Sequence, residues 1–130
     1  MLGTTWRVGT GGPVLRVRSA RLPCRTLAGD WAVPDLVRRF VAAAEPGAYL
    51  SVERPGALSA GDAVRVLHVP AHGVTVRELF RAQTGDRALV AHVLTAGVDL
   101  PGDVLARLAG ASAQRPPRRP LNDRLAAAAP

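Results

Sequence analysis

Val14-Leu15-Arg16-Val17-Arg18-Ser19-Ala20-Arg21-Leu22-Pro23-Cys24 is the stretch on which the reading of this chain turns. Its first five residues favour extended backbone and predict a strand over about 13–18. Pro23 has no backbone N–H and cannot continue a ladder, so it closes off the extended segment. The chain's single cysteine follows at once, and a short helix is expected from near Cys24 to about Gly29.

Upstream, residues 4–9 read as a partner strand, with Gly9-Thr10-Gly11-Gly12-Pro13 as the turn between the two. That glycine run lacks the Lys-Ser/Thr of a phosphate loop and the spacing of a dinucleotide fingerprint. Downstream, Pro34-Asp35-Leu36-Val37-Arg38-Arg39-Phe40-Val41 predicts a helix. Pro34 is expected in its first turn, Asp35 against its dipole, and Leu36, Val37, Phe40 and Val41 on its apolar face. Residues 48–53 and 63–69 read as two more strands, expected to pair as an antiparallel hairpin with a long loop. Thr75-Val76-Arg77-Glu78 spells a capping box that opens a helix to about Gln83. A further helix is expected after Asp86, and a third from about Gly102 to Ala109. Residues 111–130, rich in Arg, Pro and Ala, are expected to be a disordered tail with transient helix near 121–128. The order of elements gives the α+β class with an antiparallel sheet. Four strands leave edges that something must cover.

The whole chain has 130 residues, suited to one domain. Apolar residues make up 48% and aromatics 4%, so the core must be largely aliphatic, with Trp6, Trp31, Phe40, Tyr49 and Phe80 as isolated anchors. Every one of the 17 basic residues is arginine, and the net charge is +7. Without residues 111–130 there remain 13 arginines against 9 acids. That mild excess suits a small anionic ligand better than nucleic acid, which asks for a dense basic patch with stacking aromatics. One cysteine cannot form an internal disulfide and fits a reducing compartment. No apolar run approaches the roughly 18 residues of a membrane span, and residues 1–7 lack the apolar region of a signal peptide. The expectation is a cytoplasmic protein that does not enter a membrane.

Cys24 is the leading candidate for chemistry. A lone cysteine is ordinarily a small buried hydrophobe. Here it stands in a loop after a strand, where functional residues concentrate. Cationic neighbours, here Arg21 and Arg25, and a helix N-terminus both favour the thiolate. A thiolate can act as nucleophile, sulfur carrier or soft metal ligand. Arg38-Arg39 could grip a phosphate with paired guanidinium groups, or simply form a solvated helix face. His68, His72 and His92 form no ligand cluster with a second cysteine, so structural zinc is not expected. A Cys–His hydrolase finds no acid placed to orient a histidine.

The segments 14–24, 34–40, 47–52 and 56–62 follow one another as they do in MOSC domains, the C-terminal domains of molybdenum cofactor sulfurases. The nearest branch is the stand-alone bacterial proteins that reduce N-hydroxylated bases. Gly3-Thr4-Thr5-Trp6-Arg7-Val8-Gly9 is similar to the strand before the cysteine loop in that branch, and residues 75–109 resemble its helical extension. The resemblance implies a partial MOSC-like β-barrel of antiparallel strands followed by C-terminal helices over residues 1–110. It implies that the front half of the domain lies outside this chain.

The same resemblance implies a molybdenum–pterin cofactor with Cys24 as the metal ligand, and Arg21, Arg25, Arg38, Arg39 and Tyr49 as cofactor-binding residues. It implies an N-hydroxylated small-molecule substrate and a separate electron-donating reductase. The alternatives are a sulfur carrier through a Cys24 persulfide, or a non-catalytic remnant that pairs with a second copy or a partner chain. Pyridoxal phosphate is not expected, because the chain has no lysine for a Schiff base. The sequence departs from the family pattern in having Arg25-Thr26 after the cysteine, Ala48 where an aromatic is common, and Ser51 where an arginine is usual nearby.

Overall fold

The computed structural model describes residues 1–113. Strands β1 (Thr5–Val8) and β2 (Val14–Ala20) form the expected hairpin. Gly9 turns it with φ +70°, in the left-handed region that glycine enters without a side-chain clash. The Val8 N–H closes the turn on the Pro13 carbonyl at 3.1 Å. A side chain at Gly12 would run into the Val8 carbonyl oxygen, so the turn demands glycine there as well.

Helices α1 (Arg25–Asp30) and α2 (Leu36–Ala43) follow, then strands β3 (Ala48–Arg54) and β4 (Val64–His68). The sheet runs β3-β2-β1-β4 and every neighbouring pair is antiparallel. The class is therefore α+β, as the sequence indicates, and the sheet is open rather than closed into a barrel. The hairpin expected between residues 48–53 and 63–69 does not form, because β3 and β4 lie at opposite edges. The cause is the path between them. The Arg54 guanidinium donates to the Gly12 carbonyl at 3.3 Å, and a Cβ at Gly56 would lie 2.8 Å from the Pro13 nitrogen. The connection thus crosses the end of the β1–β2 turn and delivers β4 to the free edge of β1.

Register decides which side chains share a face, since directly opposed residues point the same way. Trp6 opposes Leu15 and Val66; Leu15 opposes Val52; Val17 opposes Leu50; Val8 opposes Val64. All of these are apolar and lie on one face. The other face carries Thr5, Arg7, Arg16, Ser51 and Arg65, with Val14 the one apolar residue among these opposed pairs. This one-sided pattern belongs to an antiparallel sheet with one wet face.

Helices α3 (Val76–Gln83), α4 (Arg87–Thr95) and α5 (Gly102–Ala113) complete the described fold. They supply most of the core, with Leu79, Phe80, Val90, Val93, Val104 and Leu108 almost fully buried. Ser19 and Ala20 are consecutive, point to opposite faces of the sheet, and are both buried. The helical layer therefore closes around the end of the sheet where β2 finishes. Leu2 ties that end in, donating its N–H to the Val74 carbonyl at 3.0 Å. α5 extends to Ala113, past the boundary expected near residue 110; the rest of the expected tail, with the helix near 121–128, lies outside the described residues.

The capping box at α3 is present in full. The Glu78 N–H donates to Thr75 Oγ1 at 3.1 Å, and the Thr75 N–H donates to Glu78 Oε2 at 2.7 Å. That backbone bond, then the Thr75 hydroxyl, hold the Glu78 carboxyl below the usual glutamate range. A carboxyl lowered in the folded state stabilises the fold above its unfolded value and loses that contribution as pH falls through the lowered one. We expect Thr75→Ala to cost about 1 kcal/mol at neutral pH. Glu78→Gln is expected to flatten the acid limb of stability against pH, and denaturant titrations at several pH values read both effects. An unchanged acid limb in Glu78→Gln removes Glu78 as its source.

Candidate functional site

β2 carries the chain to the candidate site and an anchor holds its base. The Arg21 N–H donates to the Gly47 carbonyl at 2.9 Å, tying the end of β2 to the entry of β3. Pro23 then releases the backbone from the ladder. Cys24 is extended (φ −131°, ψ 166°) and caps α1, its sulfur accepting the Leu27 N–H at 3.4 Å. Its carbonyl accepts from Ala28 at 3.2 Å. The side chain is exposed, so the buried-hydrophobe reading of a lone cysteine does not hold here. α1 buries none of its residues, and the thiol stands on a thin, open support.

The arginines expected near it are placed unequally. Arg21 and Arg25 are exposed on either side of Cys24 in the chain. Neither has a carboxylate partner among the described residues, and the same is true of Arg39. Arg38 is engaged by Asp35 at 2.7 Å on the solvent side of α2. That pair also corrects the expected start of α2. Pro34 precedes the helix rather than entering its first turn, and Asp35 occupies the cap position in the left-handed region (φ 57°) without bonding the helix N–H groups. α2 is held instead by Phe40, whose ring packs on Phe80 with centroids 6.0 Å apart.

Tyr49 goes elsewhere. It lines a cleft of about 350 Å³ between the end of β2, the start of β3, and helices α3 and α5. Arg18, Leu22, Gln83, Asp103 and Arg107 line it too, and Cys24 does not. Leu22, two residues before Cys24, is the nearest link in sequence between the cleft and the thiol. Asp99 clasps Arg18 at 2.7 Å and Arg16 at 3.3 Å. The Arg18 hydrogen bond and charge, aided by Arg16, hold the Asp99 carboxyl below the usual aspartate range. Gln83 Oε1 is buried and has no hydrogen-bond partner among the described residues. Sequence reading missed Arg18, Gln83, Asp103 and Arg107 as cleft residues. No local signal marks them, since α5 meets β2 only through the tertiary fold. His72 is occupied, its Nδ1 accepting the Val74 N–H at 3.0 Å.

The family model of the MOSC domain matches residues 1–65, half of the chain, and the match spans β1, β2, the Cys24 loop and β3. The chain belongs to the MOSC domain family. Among solved structures it is similar to YiiM from Geobacillus stearothermophilus, with a TM-score of 0.71 and 18% identity over 86% of this chain and 57% of that one. It is similar to YiiM from Escherichia coli, with a TM-score of 0.72 and 21% identity over 85% of this chain and 55% of that one. A hypothetical protein gives a TM-score of 0.70 and 21% identity over 84% and 50% of the two chains. At these identities the likeness is one of fold. This MOSC chain thus spans about half the length of the structures it resembles. No curated protein matches it. Among the described residues, no helix is long and apolar enough to cross a membrane.

Proposed function

We propose that this MOSC domain helps to hold a molybdenum–pterin cofactor, with Cys24 Sγ as the protein ligand to the metal. The observation that supports it most is the solitary exposed thiol. Among the described residues, no three His, Cys, Asp or Glu side chains gather to hold a metal ion. A metal bound at Cys24 therefore needs ligands from beyond the described residues. One soft thiolate beside the sulfur donors of an organic cofactor meets that need.

Arg21 and Arg25 fit the phosphate of such a cofactor, because guanidinium matches phosphate geometry. Arg25 opens α1, where a cation opposes the helix dipole. Helix stability gives no reason for it, whereas a bound anion does. Arg39 extends the proposed set, and Arg38 joins it by releasing Asp35. When bound, the cofactor supplies two-electron oxygen-atom chemistry, by which an N-hydroxylated compound takes up two electrons and two protons and leaves as the amine and water. The protein's part is to hold the metal through one sulfur and to neutralise the phosphate. The electrons come from a separate reductase, since one cysteine is too few for an iron–sulfur cluster on this chain. A reducing cytoplasm keeps the exposed thiol free.

Purified from a cofactor-producing host, the protein is expected to carry molybdenum and pterin together; a preparation with neither overturns the reading. Arg25→Ala is expected to lower the cofactor content severalfold while stability stays within about 0.5 kcal/mol, as usual for an exposed position. The exposure of the sulfur also favours a second reading, sulfur carriage. Metal-free protein with one added sulfur atom on Cys24 by mass spectrometry selects it.

A further inference from the structure

Arg7 and Arg65 stand directly opposite each other on β1 and β4 and share one face of the sheet. Like charges so placed repel and weaken the strand pair. Neither guanidinium meets a carboxylate among the described residues. Arg16, on the same face, differs, because Asp99 holds it at 3.3 Å. Arg7 carries a second cost. Its Nε is buried and has no hydrogen-bond partner among the described residues. A buried donor on a charged group is the most expensive kind to leave unpaired. Sheet stability gives no reason for this pair, whereas a bound anion offsets both costs.

The two arginines line a pocket of about 330 Å³. Gly9 and Thr10 of the β1–β2 turn and Gly61 and Asp62 before β4 form most of its remaining wall. The Gly9 N–H donates to the Ala63 carbonyl at 2.8 Å and ties the turn to that loop. Asp62 pairs with neither arginine, and its Oδ2 accepts the Ser59 N–H at 2.7 Å. We propose that this pocket binds a small phosphate ester. Its phosphate is shared by Arg7 and Arg65, and a hydroxyl or amine on the rest of the molecule donates to Asp62. Two guanidinium forks ask for more oxygens than one carboxylate offers, and a phosphate supplies them. No aromatic side chain lines the pocket, so a stacked base is not part of the ligand. The pocket is separate from the thiol. It lies at the β1–β2 turn, while Cys24 follows the other end of β2, a seven-residue strand that spans about 20 Å. The proposal is therefore independent of the cofactor reading.

The test uses the full chain in chloride buffers of matched ionic strength, with inorganic phosphate, O-phosphoethanolamine and acetate as probes. Titration calorimetry gives the Kd, and amide resonance spectra give the place. Phosphate is expected to shift the Thr10 and Gly61 amide signals. Acetate is expected to bind about tenfold more weakly or worse. O-phosphoethanolamine is expected to bind more tightly than phosphate, and Asp62→Asn to remove that advantage. Arg65→Gln changes an exposed residue and keeps the fold. It is expected to raise the phosphate Kd about tenfold or more, as loss of a charged hydrogen bond implies. Without phosphate it should melt no lower than wild type, since it relieves the repulsion. Arg87→Gln, at an exposed arginine on α4, and Cys24→Ser are expected to keep the wild-type Kd. Equal losses in Arg65→Gln and Arg87→Gln overturn the proposal, by making the binding a general effect of the +7 charge. Acetate as tight as phosphate, or O-phosphoethanolamine no tighter, overturns it too. Loss of phosphate binding in Cys24→Ser overturns the separation from the thiol.

Discussion

Cys24→Ser is expected to strip molybdenum from the protein and leave the fold intact. The two effects separate because the cap that Cys24 forms and the ligand role proposed for it make different demands on the side chain. As a cap it accepts the Leu27 N–H at 3.4 Å, a long bond to a weak acceptor. Serine is a preferred cap residue and makes the stronger bond at this position. Stability should therefore hold or rise by a few tenths of a kcal/mol, as expected for an exposed site. As a ligand, serine replaces a soft sulfur with a hard oxygen. Loss of a residue that only supports a ligand already costs about 10–100-fold in metal affinity. Loss of the ligand itself should exceed that and bring the metal content to background. Metal per chain and the unfolding midpoint, measured on one preparation, read both effects. Equal molybdenum in wild type and Cys24→Ser ends the ligand assignment.

Phe80→Ala is expected to be the most damaging single change to the fold. Phe80 is fully buried among the helices and is the largest fully buried side chain. Its ring also meets Phe40, which attaches α2, a helix with no fully buried residue of its own. Removing a buried phenylalanine costs about 3–5 kcal/mol. A domain of this kind has about 5–15 kcal/mol in total. The unfolding midpoint in urea should fall by a large fraction of its wild-type value. Phe40→Ala should cost less, because Phe40 is only partly buried. If Phe40→Ala proves as costly as Phe80→Ala, the rings do not share the load in this way.

What the sequence disclosed follows the range of the interaction. The β1–β2 turn, the capping box at Thr75 and the helix start after Asp86 are each written within five residues, and each is found where its residues predict. The partner of β3 is not written locally. Residues 48–53 and 64–68 both read as strands, and nearness in sequence suggests that they pair. Only the contact of Arg54 and Gly56 with the β1–β2 turn reveals the crossing that separates them. The site divides in the same way. Cys24 was legible because a proline and a helix start frame it. The resemblance pairs Tyr49 with it, yet the fold turns Tyr49 into a cleft built with α5. Arg38 looked free until Asp35 proved to hold it.

The crossing over Gly12 also sets the order in which the sheet can assemble. β1, β2 and β3 join through neighbours along the chain, but β4 closes on β1 across some 60 residues of sequence. Closing so long a loop is slow, and the entropy is lost before the pairing rewards it. During synthesis the outer edge of β1 stays open until His68 has left the ribosome. Through that interval the nascent chain presents an unpaired strand edge, the template on which chains pair with one another. Protein yield in the soluble fraction should therefore respond to the speed of translation through residues 55–68.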